Sequence, residues 1–456
     1  MSRLLGSGIL CLLGSFLHGQ VQTINDFRST HDQFLWHLDG LGYCTVSASG
    51  RTVKYDTKIT LWDYDLNVLS EYVIPPETSE GCPVRQCVYD GQDVFLHLCL
   101  NGVVVLTSDE PEYKLIGLEQ SFDDLCAVNE GCVVIDDILH GTAKYGVDMI
   151  KFDKQLEVKW SKKMRPDKGS RMLAIAEPAH GQIALITYRV VGMNASAQLE
   201  MVSGENGREY YKIEFEKDGA RGGTSILVDK NGSVFISGHA YEKKNSSRPT
   251  GFFLLNAGTD GKILLESEFT WDDLRSRWAG KGDALRLDEL PVPVLQAVWQ
   301  TASGEWVVLM ETFGQISRRS IKGKRPVTVG DFVILQLTAS GELLRVAALH
   351  KGDNDYRIET RFVMQDAQEI RREHGFDFIT AVESLEGLPA FTYLDKSSAS
   401  PFIGLASISS DLSVGVIKHR MKGSSSTRVQ PNEGNKSLLF SYDEKGELLN
   451  MWIASW

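Results

Sequence analysis

Hydrophobic and polar positions follow the same layout several times along the chain. In one stretch, the runs Ile226–Asp229, Ser233–Glu242, Gly251–Asn256 and Ile263–Phe269 are rich in β-branched and aromatic residues, and turn formers such as those at 258–261 separate them. Short apolar runs bounded by Gly, Asn and Asp predict β-strands. This stretch therefore predicts four strands in succession.

The four-strand layout recurs from one end of the chain to the other. Its last hairpin is the most recognisable part, because two apolar runs flank a polar turn at Leu61–Leu69, Lys151–Leu156, Leu335–Leu343 and Phe440–Leu448. We place the repeating units at residues 33–75, 83–117, 122–162, 171–214, 222–270, 292–350 and 402–455. The stretch Phe376–Lys396 resembles one more hairpin, either an insertion or a fragment of an eighth unit.

Four-stranded units at this period resemble the β-propeller superfamily, in which blades pack around a central axis. The resemblance covers nearly all of residues 20–456, and it is most similar to uncharacterised exported propellers of Gram-negative bacteria. The Gly-His and Trp-Asp pattern of WD40 blades and the paired glycines of kelch blades are absent, so no named subfamily follows. A pair of β-sandwiches would not need this repeat, and the coils of a β-solenoid are shorter. We expect one all-β propeller of about seven blades, with six or eight as alternatives and short helical insertions between blades.

The first residues predict a secretory signal peptide. Arg3 precedes the apolar run Leu4–Leu17, and Gly19 and Gln20 follow as a small-residue exit. This order of a basic residue, an apolar run and a small-residue site is typical of signal peptides, and the run is too short to span a membrane. We expect residues 1–19 to be removed and the protein to be periplasmic or extracellular, with no transmembrane segment.

Six cysteines remain after residue 19, and an even number in an exported chain favours disulfides. A hairpin turn centred on residues 90–91 predicts a Cys82–Cys99 pair, and Cys126 and Cys132 flank a short turn and predict a second pair. Cys44 and Cys87 are then left to join neighbouring blades. Other pairings stay open, and zinc binding is a rival interpretation, although the chain has no CxxC pair.

The charge is unevenly distributed. Lys and Arg total 48 against 60 Asp and Glu, a net charge of -12, so nucleic acid is not an expected partner. In a propeller, the links between strands two and three and those between blades lie on one face, and these links carry nearly all the insertions. The links that we assign to strands two and three are rich in basic residues, namely Arg51, Lys54, Lys144, Lys243, Lys244, Arg248, Arg318, Arg319, Lys322, Lys324, Arg325, Lys422 and Arg428.

Long loops in compact domains often carry function, so the segment Arg318–Arg325 is a candidate binding site for an anionic partner. Exposed lysines that serve only solubility are the alternative explanation. Trp271 and Trp278 lie in a between-blade insertion that begins like a helix, with Asp272 and Asp273 in its first turn. Residues 362–372 predict a second helical insertion. Either insertion could cover the channel mouth, with the tryptophans stacking on a sugar or a partner; alternatively, the tryptophans anchor the first insertion to the blades.

Catalytic motifs are missing: the chain has no GxSxG, HExxH, P-loop or GxGxxG motif in the required context. We therefore favour a non-enzymatic exported protein that binds a protein or glycan, and we expect no cofactor, with calcium at Asp353 and Asp355 as the alternative. The alternative is a glycoside hydrolase or lyase, which needs two converging carboxylates, one with a raised pKa. The available carboxylates include Asp123, Asp124, Glu177 and Asp377. The sequence predicts no oligomeric state.

Overall fold

The computed structural model describes most of the chain after residue 20. The described residues are 21–25, 27–29, 34–49, 56–75, 84–98, 102–107, 113–117, 122, 124–140, 144–165, 170–179, 181–191, 194–215, 221–229, 231–242, 249–278, 292–315, 325–352, 354–358, 367, 370–371, 375–383, 388–395, 402–420, 427–433, 436–443 and 447–455. Among them, no helix is long and apolar enough to cross a membrane.

The described strands form eight antiparallel sheets, which are the blades of a β-propeller. In chain order, the first half contains β1 (Val21–Ile24); blade 1 with β2 (Leu35–Leu38), β3 (Gly42–Ser49), β4 (Asp56–Trp62) and β5 (Val68–Ile74); blade 2 with β6 (Val84–Tyr89), β7 (Val94–Leu98), β8 (Gly102–Leu106) and β9 (Tyr113–Gly117); blade 3 with β10 (Asp124–Val128), β11 (Gly131–His140), β12 (Lys144–Phe152) and β13 (Val158–Met164); and blade 4 with β14 (Ser170–Ala179), β15 (Gln182–Val191), β16 (Asn194–Ser203) and β17 (Glu209–Glu214).

The second half of the described residues carries a short helix and the remaining blades. They are blade 5 with β18 (Arg221–Val228), β19 (Val234–Ala240), β20 (Gly251–Ala257) and β21 (Ile263–Thr270); the helix α1 (Trp271–Ser276); blade 6 with β22 (Val292–Gln300), β23 (Trp306–Gln315), β24 (Arg325–Leu337), β25 (Leu343–Leu349) and the added β26 (Asn354–Ile358); blade 7 with β27 (Phe378–Glu383), β28 (Pro389–Asp395), β29 (Phe402–Ile408) and β30 (Val414–Arg420); and blade 8 with β31 (Thr427–Pro431), β32 (Lys436–Asp443) and β33 (Leu448–Ser455).

The ring closes by joining the two ends of the chain. β1 pairs antiparallel with β33, with Val21 opposite Trp452 and Ile24 opposite Leu449, and so supplies the fourth and outermost strand of blade 8. The innermost strand of blade 8, β31, lies between the innermost strands of blades 7 and 1. A blade built from both ends of the chain makes the ring continuous.

The expected count of seven blades is wrong, and the alternative of eight is confirmed. The hairpin at Phe376–Lys396 is the inner half of blade 7, made by β27 and β28. The predicted unit 402–455 combined the outer half of blade 7 with three strands of blade 8. The fourth strand of blade 8 comes from the N-terminus, so the C-terminal sequence alone does not contain a complete last blade.

The core lies between the blades, because the two faces of each sheet pack on different neighbours. All seven residues of β20 are buried. Phe253 and Leu255 contribute to a cluster with blade 4, whereas Phe252 and Leu254, at alternating positions, contribute to a cluster with blade 6. Successive side chains of a strand point to opposite faces, so a middle strand of a propeller is buried on both faces and is mostly apolar.

The turn between strands three and four presses on the outer strand of the preceding blade. In blade 4 this turn contains Gly207, whose φ of 71° is left-handed, and a Cβ there would lie 2.8 Å from Cε3 of Trp160 in blade 3. The Trp160 indole donates to the carbonyl of Gly204 in the same turn, at 3.1 Å. Glycine is therefore required at position 207 for both the backbone angle and the contact.

In blades 1, 3 and 7, a leucine takes the left-handed position of this turn, at Leu66, Leu156 and Leu412. Leu66 is buried in a cluster that includes Phe440 and Leu449 of blade 8. A left-handed non-glycine residue costs about 1–2 kcal/mol, which is of the same order as the gain of about 1.5–3 kcal/mol from burying its side chain. In these blades the turn thus contributes a buried leucine side chain to the interface between blades. In blade 4, by contrast, the glycine lets the backbone of the turn approach the neighbouring blade closely.

Substituting two glycines separates the cost of the left-handed backbone angle from the cost of the close contact with the neighbouring blade. Gly91→Ala places a side chain at a φ of 100° with no atom within 4 Å, and is expected to lower the free energy of unfolding by about 1 kcal/mol. Gly207→Ala adds the clash with Trp160, and overpacking costs a further 1–3 kcal/mol, roughly. Urea unfolding of both variants measures the difference. Equal destabilisation would show that the turn does not press on blade 3.

The cysteine pairings need correction. Cys44, Cys87, Cys126 and Cys132 are all buried, and none of the four forms a disulfide. Cys126 is opposite Val133 and Cys132 is opposite Ala127, so the two cysteines face opposite sides of blade 3 and cannot pair.

The predicted Cys82–Cys99 pair lies outside the described residues. The hairpin register next to it places Val84 opposite Leu98. The predicted turn centre, between residues 90 and 91, would instead have placed Pro83 opposite Leu98. Cys44 and Cys87 lie together between blades 1 and 2, where burial and the neighbouring Cys44 thiol raise the pKa of Cys87 well above its ordinary value. Their oxidation to a disulfide stays a prediction.

Candidate functional site

The longest links between the described strands are gathered in one sector of one face. Blades 5 and 6 have the longest links between strands two and three, at 241–250 and 316–324. The links that leave the same blades, at 271–291 and 350–377, are the longest between blades. Both kinds of link lie at the same end of the strands. We call these four segments the long-link sector.

Two expected positions on this face need correction. The turn at 444–447 joins strands two and three of blade 8 and lies on the long-link face, whereas the sequence had suggested a turn between strands three and four. Lys422 lies in the link between blades 7 and 8, and Arg428 lies in β31 with its guanidinium carbon 6.0 Å from the centre of the Phe34 ring. Neither residue belongs to a link between strands two and three, because blade 8 begins at β31.

The candidate basic site belongs to the long-link sector. Arg318, Arg319, Lys322 and Lys324 lie outside the described residues, in the link that joins β23 to β24. Arg325 is the first residue of β24 and is opposite Ile358 of β26. The structure thus places Arg325, at the end of this basic segment, beside the insertion that follows blade 6. Its binding function stays a prediction.

The two candidate tryptophans anchor the insertion after blade 5. Thr270 caps α1, and its hydroxyl accepts from the backbone N–H of Asp273, as the acidic first turn predicted. Trp271 is 9% exposed, and its indole donates to the carbonyl of Pro249 at 3.0 Å. Trp278 is partly buried against the same cluster and forms a parallel bridge with Val346 of blade 6. These contacts account for both indoles as packing groups, and stacking on a ligand stays a prediction.

The insertion after blade 6 reaches from the outer strand to the centre of the ring. β26 pairs with the first half of β24. Farther along, Ile370 and Arg371 are helical, and Ile370 packs with Val294 and Phe313. The Arg371 guanidinium donates to the carbonyls of Ile226 at 3.0 Å and Leu295 at 2.8 Å, on the innermost strands of blades 5 and 6. The insertion therefore bridges two inner strands beside the channel.

The two ends of this insertion meet at a buried group of charges. Lys351, near its start, forms an ion pair with Asp377, near its end, and the Lys351 Nζ lies 3.3 Å from Oε1 of Glu311 on β23. All three side chains are 0% exposed. The Asn354 amide donates to both oxygens of Asp377 at 2.5 Å. We call Glu311, Lys351, Asn354 and Asp377 the neck cluster, because they close the neck of the insertion.

Glu311, on β23 of blade 6, binds the backbone at the start of blade 7. Its carboxylate accepts the backbone N–H of Asp377 at 2.9 Å and that of Phe378 at 3.2 Å. The Gln296 amide donates to it at 3.4 Å. Gln296 lies at a bulge between Leu295 and Ala297, which turns the side chain out of the regular alternation of β22. The neck cluster therefore connects blade 6, the insertion and blade 7.

Burial dominates the electrostatics of the neck cluster. It raises the pKa of Glu311 to about 7, with Lys351 opposing this rise and Asp377 adding to it. For Lys351, burial lowers the pKa, but the two carboxylates outweigh it, so the pKa of Lys351 lies above its ordinary value. Two carboxylates facing one ammonium leave one excess negative charge when all three groups are ionised. An enclosed site screens such a charge poorly.

The neck cluster has only part of what the enzyme hypothesis requires. Two acidic groups meet there, one with a raised pKa, and Asp377 was one of the candidates. Both side chains are nevertheless fully enclosed and bonded to Lys351 or to backbone N–H groups. Their role in the structure is therefore to hold neighbouring segments of the chain together. Asp124 is buried and accepts from the Gln86 amide at 2.9 Å. Glu177 lies in β14, and Asp123 lies outside the described residues.

The calcium hypothesis gains no support from the described residues. Asp353 lies outside them, and Asp355 accepts from the Thr328 hydroxyl at 2.7 Å. Within the described part of the chain, no group of three His, Cys, Asp or Glu side chains could hold a metal ion. Calcium binding stays a prediction.

The sequence interpretation did not include Glu311 or Lys351. A signal was present, because Glu311 directly follows the apolar residues Val307–Met310 in a strand. A carboxylate in a buried strand needs a partner, since burying an unpaired charge is costly. The partner could not be named from sequence, because Lys351 and Asp377 meet only through the course of the insertion.

Comparisons with known proteins find similar solved structures only at low sequence identity. A scan against protein-family models finds no matching family, and a search of curated proteins finds no match. Among solved structures, BamB from Moraxella catarrhalis is 11% identical, with 96% of this chain and 99% of that chain covered and a TM-score of 0.44.

Two further solved structures match at similar levels. Sqt1 from Saccharomyces cerevisiae is 10% identical, with 96% of this chain and 98% of that chain covered and a TM-score of 0.45. The polysaccharide lyase Uly1 is 10% identical, with 81% of this chain and 89% of that chain covered and a TM-score of 0.41. At these identities and TM-scores, the likenesses carry no conclusion about this chain.

Proposed function

We propose that the protein is an exported binding protein whose long-link sector recognises a partner with closely spaced carboxylates. The observation that carries this proposal is the concentration of the longest links on blades 5 and 6, at one face. A ring of similar blades needs only short links, so long ones in one sector indicate a use beyond folding.

The chemistry of the partner is inferred from the basic segment. Within an acidic chain of net charge -12, four basic residues fall in one link of the long-link sector, and Arg325 follows them as the first residue of β24; the four are Arg318, Arg319, Lys322 and Lys324. Arginine binds carboxylates through paired N–H groups, and a local basic field attracts an anionic partner. An acidic glycan and an acidic protein surface share this chemistry, and both are candidates.

Export is part of the proposal. The predicted signal peptide ends at residue 19, and β1 begins at Val21, so removal of residues 1–19 leaves the closing strand intact. An oxidising compartment would also allow the neighbouring Cys44 and Cys87 thiols to form a disulfide. A binding role is favoured over catalysis because the two carboxylates of the neck cluster, one of them with a raised pKa, are enclosed.

Reversing the charge of the basic segment tests the proposed function. Changing Arg318, Arg319, Lys322, Lys324 and Arg325 together to Glu is expected to weaken binding to polygalacturonate or polyglutamate by at least tenfold at low salt, because attraction becomes repulsion. Polygalacturonate represents a glycan and polyglutamate an acidic protein surface, so their relative affinities distinguish the two partners.

The matched control reverses five exposed basic residues away from this sector. They lie in turns between strands three and four or on outer strands, and they are Lys154, Arg208, Lys212, Lys262 and Arg345. This variant has the same net charge as the test variant and should retain much more of the binding. Equal losses in both variants would show that total charge, and not the long-link sector, governs binding.

A further inference from the structure

The two ends of the insertion at 350–377 are held together by three buried charged groups, and their net charge depends on one proton. Lys351 near its start and Asp377 near its end form a buried ion pair, and Glu311 beneath them adds a second carboxylate. With both carboxylates ionised, the enclosed neck carries one negative charge too many. With Glu311 protonated, the Lys351–Asp377 pair is balanced.

We propose that the neck cluster is a proton-controlled clasp, in which protonation of Glu311 holds the insertion closed and its deprotonation loosens the insertion within the long-link sector. The clasp regulates the sector to which the proposed function assigns binding, and in that respect it rests on that function. The clasp itself is defined by the neck cluster and is measured without any partner.

The groups that face Glu311 come from every element packed around it. Gln296 on β22 and Asn354 on β26 are neutral, and Lys351 and Asp377 are charged. The Phe332 ring on β24 lies 5.5 Å from the Lys351 Nζ and supplies no proton acceptor. His350 is turned toward a separate partner, with Nδ1 2.7 Å from Oδ2 of Asp331.

The direction of the pH dependence follows from the change at Glu311. Burial raises its pKa from 4.5 to about 7 in the closed neck, so the closed form binds the proton more tightly than an open, hydrated form does. The stabilisation of the closed form is fully present below pH 4.5 and is lost as the pH rises through about 7. Loosening is therefore expected as the pH rises from about 4.5 to about 7, with little further change above that.

Limited proteolysis of the full chain tests the clasp, with cleavage sites identified by mass spectrometry. Glu311→Gln keeps the shape of a protonated glutamate and cannot lose the proton. At each pH, the rate of cleavage within 350–377 in the wild type is divided by the rate in E311Q, which cancels the pH dependence of the protease. The ratio should rise by at least about tenfold between pH 5.5 and pH 8, with most of the rise below pH 7, since opening grows about tenfold for each pH unit between the two pKa values.

Other variants identify the responsible group. D377N removes the excess negative charge and should abolish the rise in cleavage between pH 5.5 and 8, which also provides a test if E311Q does not fold. His350→Gln and Glu342→Gln should keep the rise, since the first removes a histidine, a residue type that titrates near neutrality, and the second an exposed carboxylate on the opposite face.

The proposal is overturned if the wild-type ratio stays flat with pH, if wild-type cleavage within 350–377 is absent at pH 8, or if H350Q abolishes the rise. These results concern the unliganded chain, whereas the proposed function is judged by polycarboxylate binding. Failure of the clasp is therefore distinct from failure of the binding function.

Discussion

A chain that begins at Arg28 is expected to lose at least about 4 kcal/mol of unfolding free energy compared with a chain that begins at Gln20. The shorter chain lacks β1, which is the outermost strand of blade 8 and pairs only with β33 among the described strands. It also lacks Phe27, which is 2% exposed. Removing a buried phenylalanine side chain alone costs about 3–5 kcal/mol.

The contacts of Phe27 explain why this segment matters. Its ring lies 5.3 Å from that of Phe34 in blade 1 and 5.6 Å from that of Tyr442 in blade 8. Its N–H donates to the carbonyl of Glu447 at 2.8 Å. The segment therefore seals the junction at which the ring closes.

Urea unfolding followed by tryptophan fluorescence measures the effect of this truncation. Phe27→Ala in the longer chain should show most of the loss, and Thr23→Ala, at an exposed position of β1, should show little. If the chain from Arg28 is as stable as the chain from Gln20, the eighth blade does not depend on the N-terminal strand.

Replacing Lys351 with Met is expected to lower the free energy of unfolding by about 3–5 kcal/mol at pH 8. The methionine fits the volume of the lysine stem but leaves Glu311 and Asp377 enclosed without a cation. Breaking a buried ion pair is costly because the remaining charge has neither its partner nor water. The loss should be smaller at pH 5.5, where Glu311 is protonated.

Two variants control for this effect. The triple variant K351M/E311Q/D377N removes all three charges together and should recover most of the loss, because a neutral buried group needs no counter-ion. Lys436→Met removes a half-exposed ammonium that lies 3.7 Å from Asp65 and should cost no more than about 1 kcal/mol. A K351M protein that is as stable as the wild type would show that the neck cluster does not hold blade 6 to blade 7.

The fold was predictable to the extent that its signals are local. The hairpin at Leu335–Leu343, with Gly341 in the turn, predicted the outer half of blade 6, and the structure confirms it. The number of blades depended instead on the pairing of Val21 with Trp452, whose separation along the chain no local pattern reveals. The predicted C-terminal unit therefore combined two strands of blade 7 with three strands of blade 8.

Side-chain partners were predictable only where the register was. The Cys126–Cys132 pair failed by one position, since one residue in a strand moves a side chain to the opposite face. The neck cluster depends on a long insertion whose ends meet in space, so Asp377 was identified as a carboxylate without its partner Lys351. The long-link sector was visible from loop lengths, because these need only the approximate ends of the strands.

The most direct test of the central claim is the salt dependence of polyglutamate and polygalacturonate binding by the wild type and the two charge-reversal variants. If the long-link sector binds carboxylates, wild-type affinity falls steeply as salt rises, the slope flattens when the segment from Arg318 to Arg325 is reversed, and the control variant keeps most of the wild-type slope. Wild-type binding that is absent at low salt, or a slope that is the same in all three proteins, would contradict the claim.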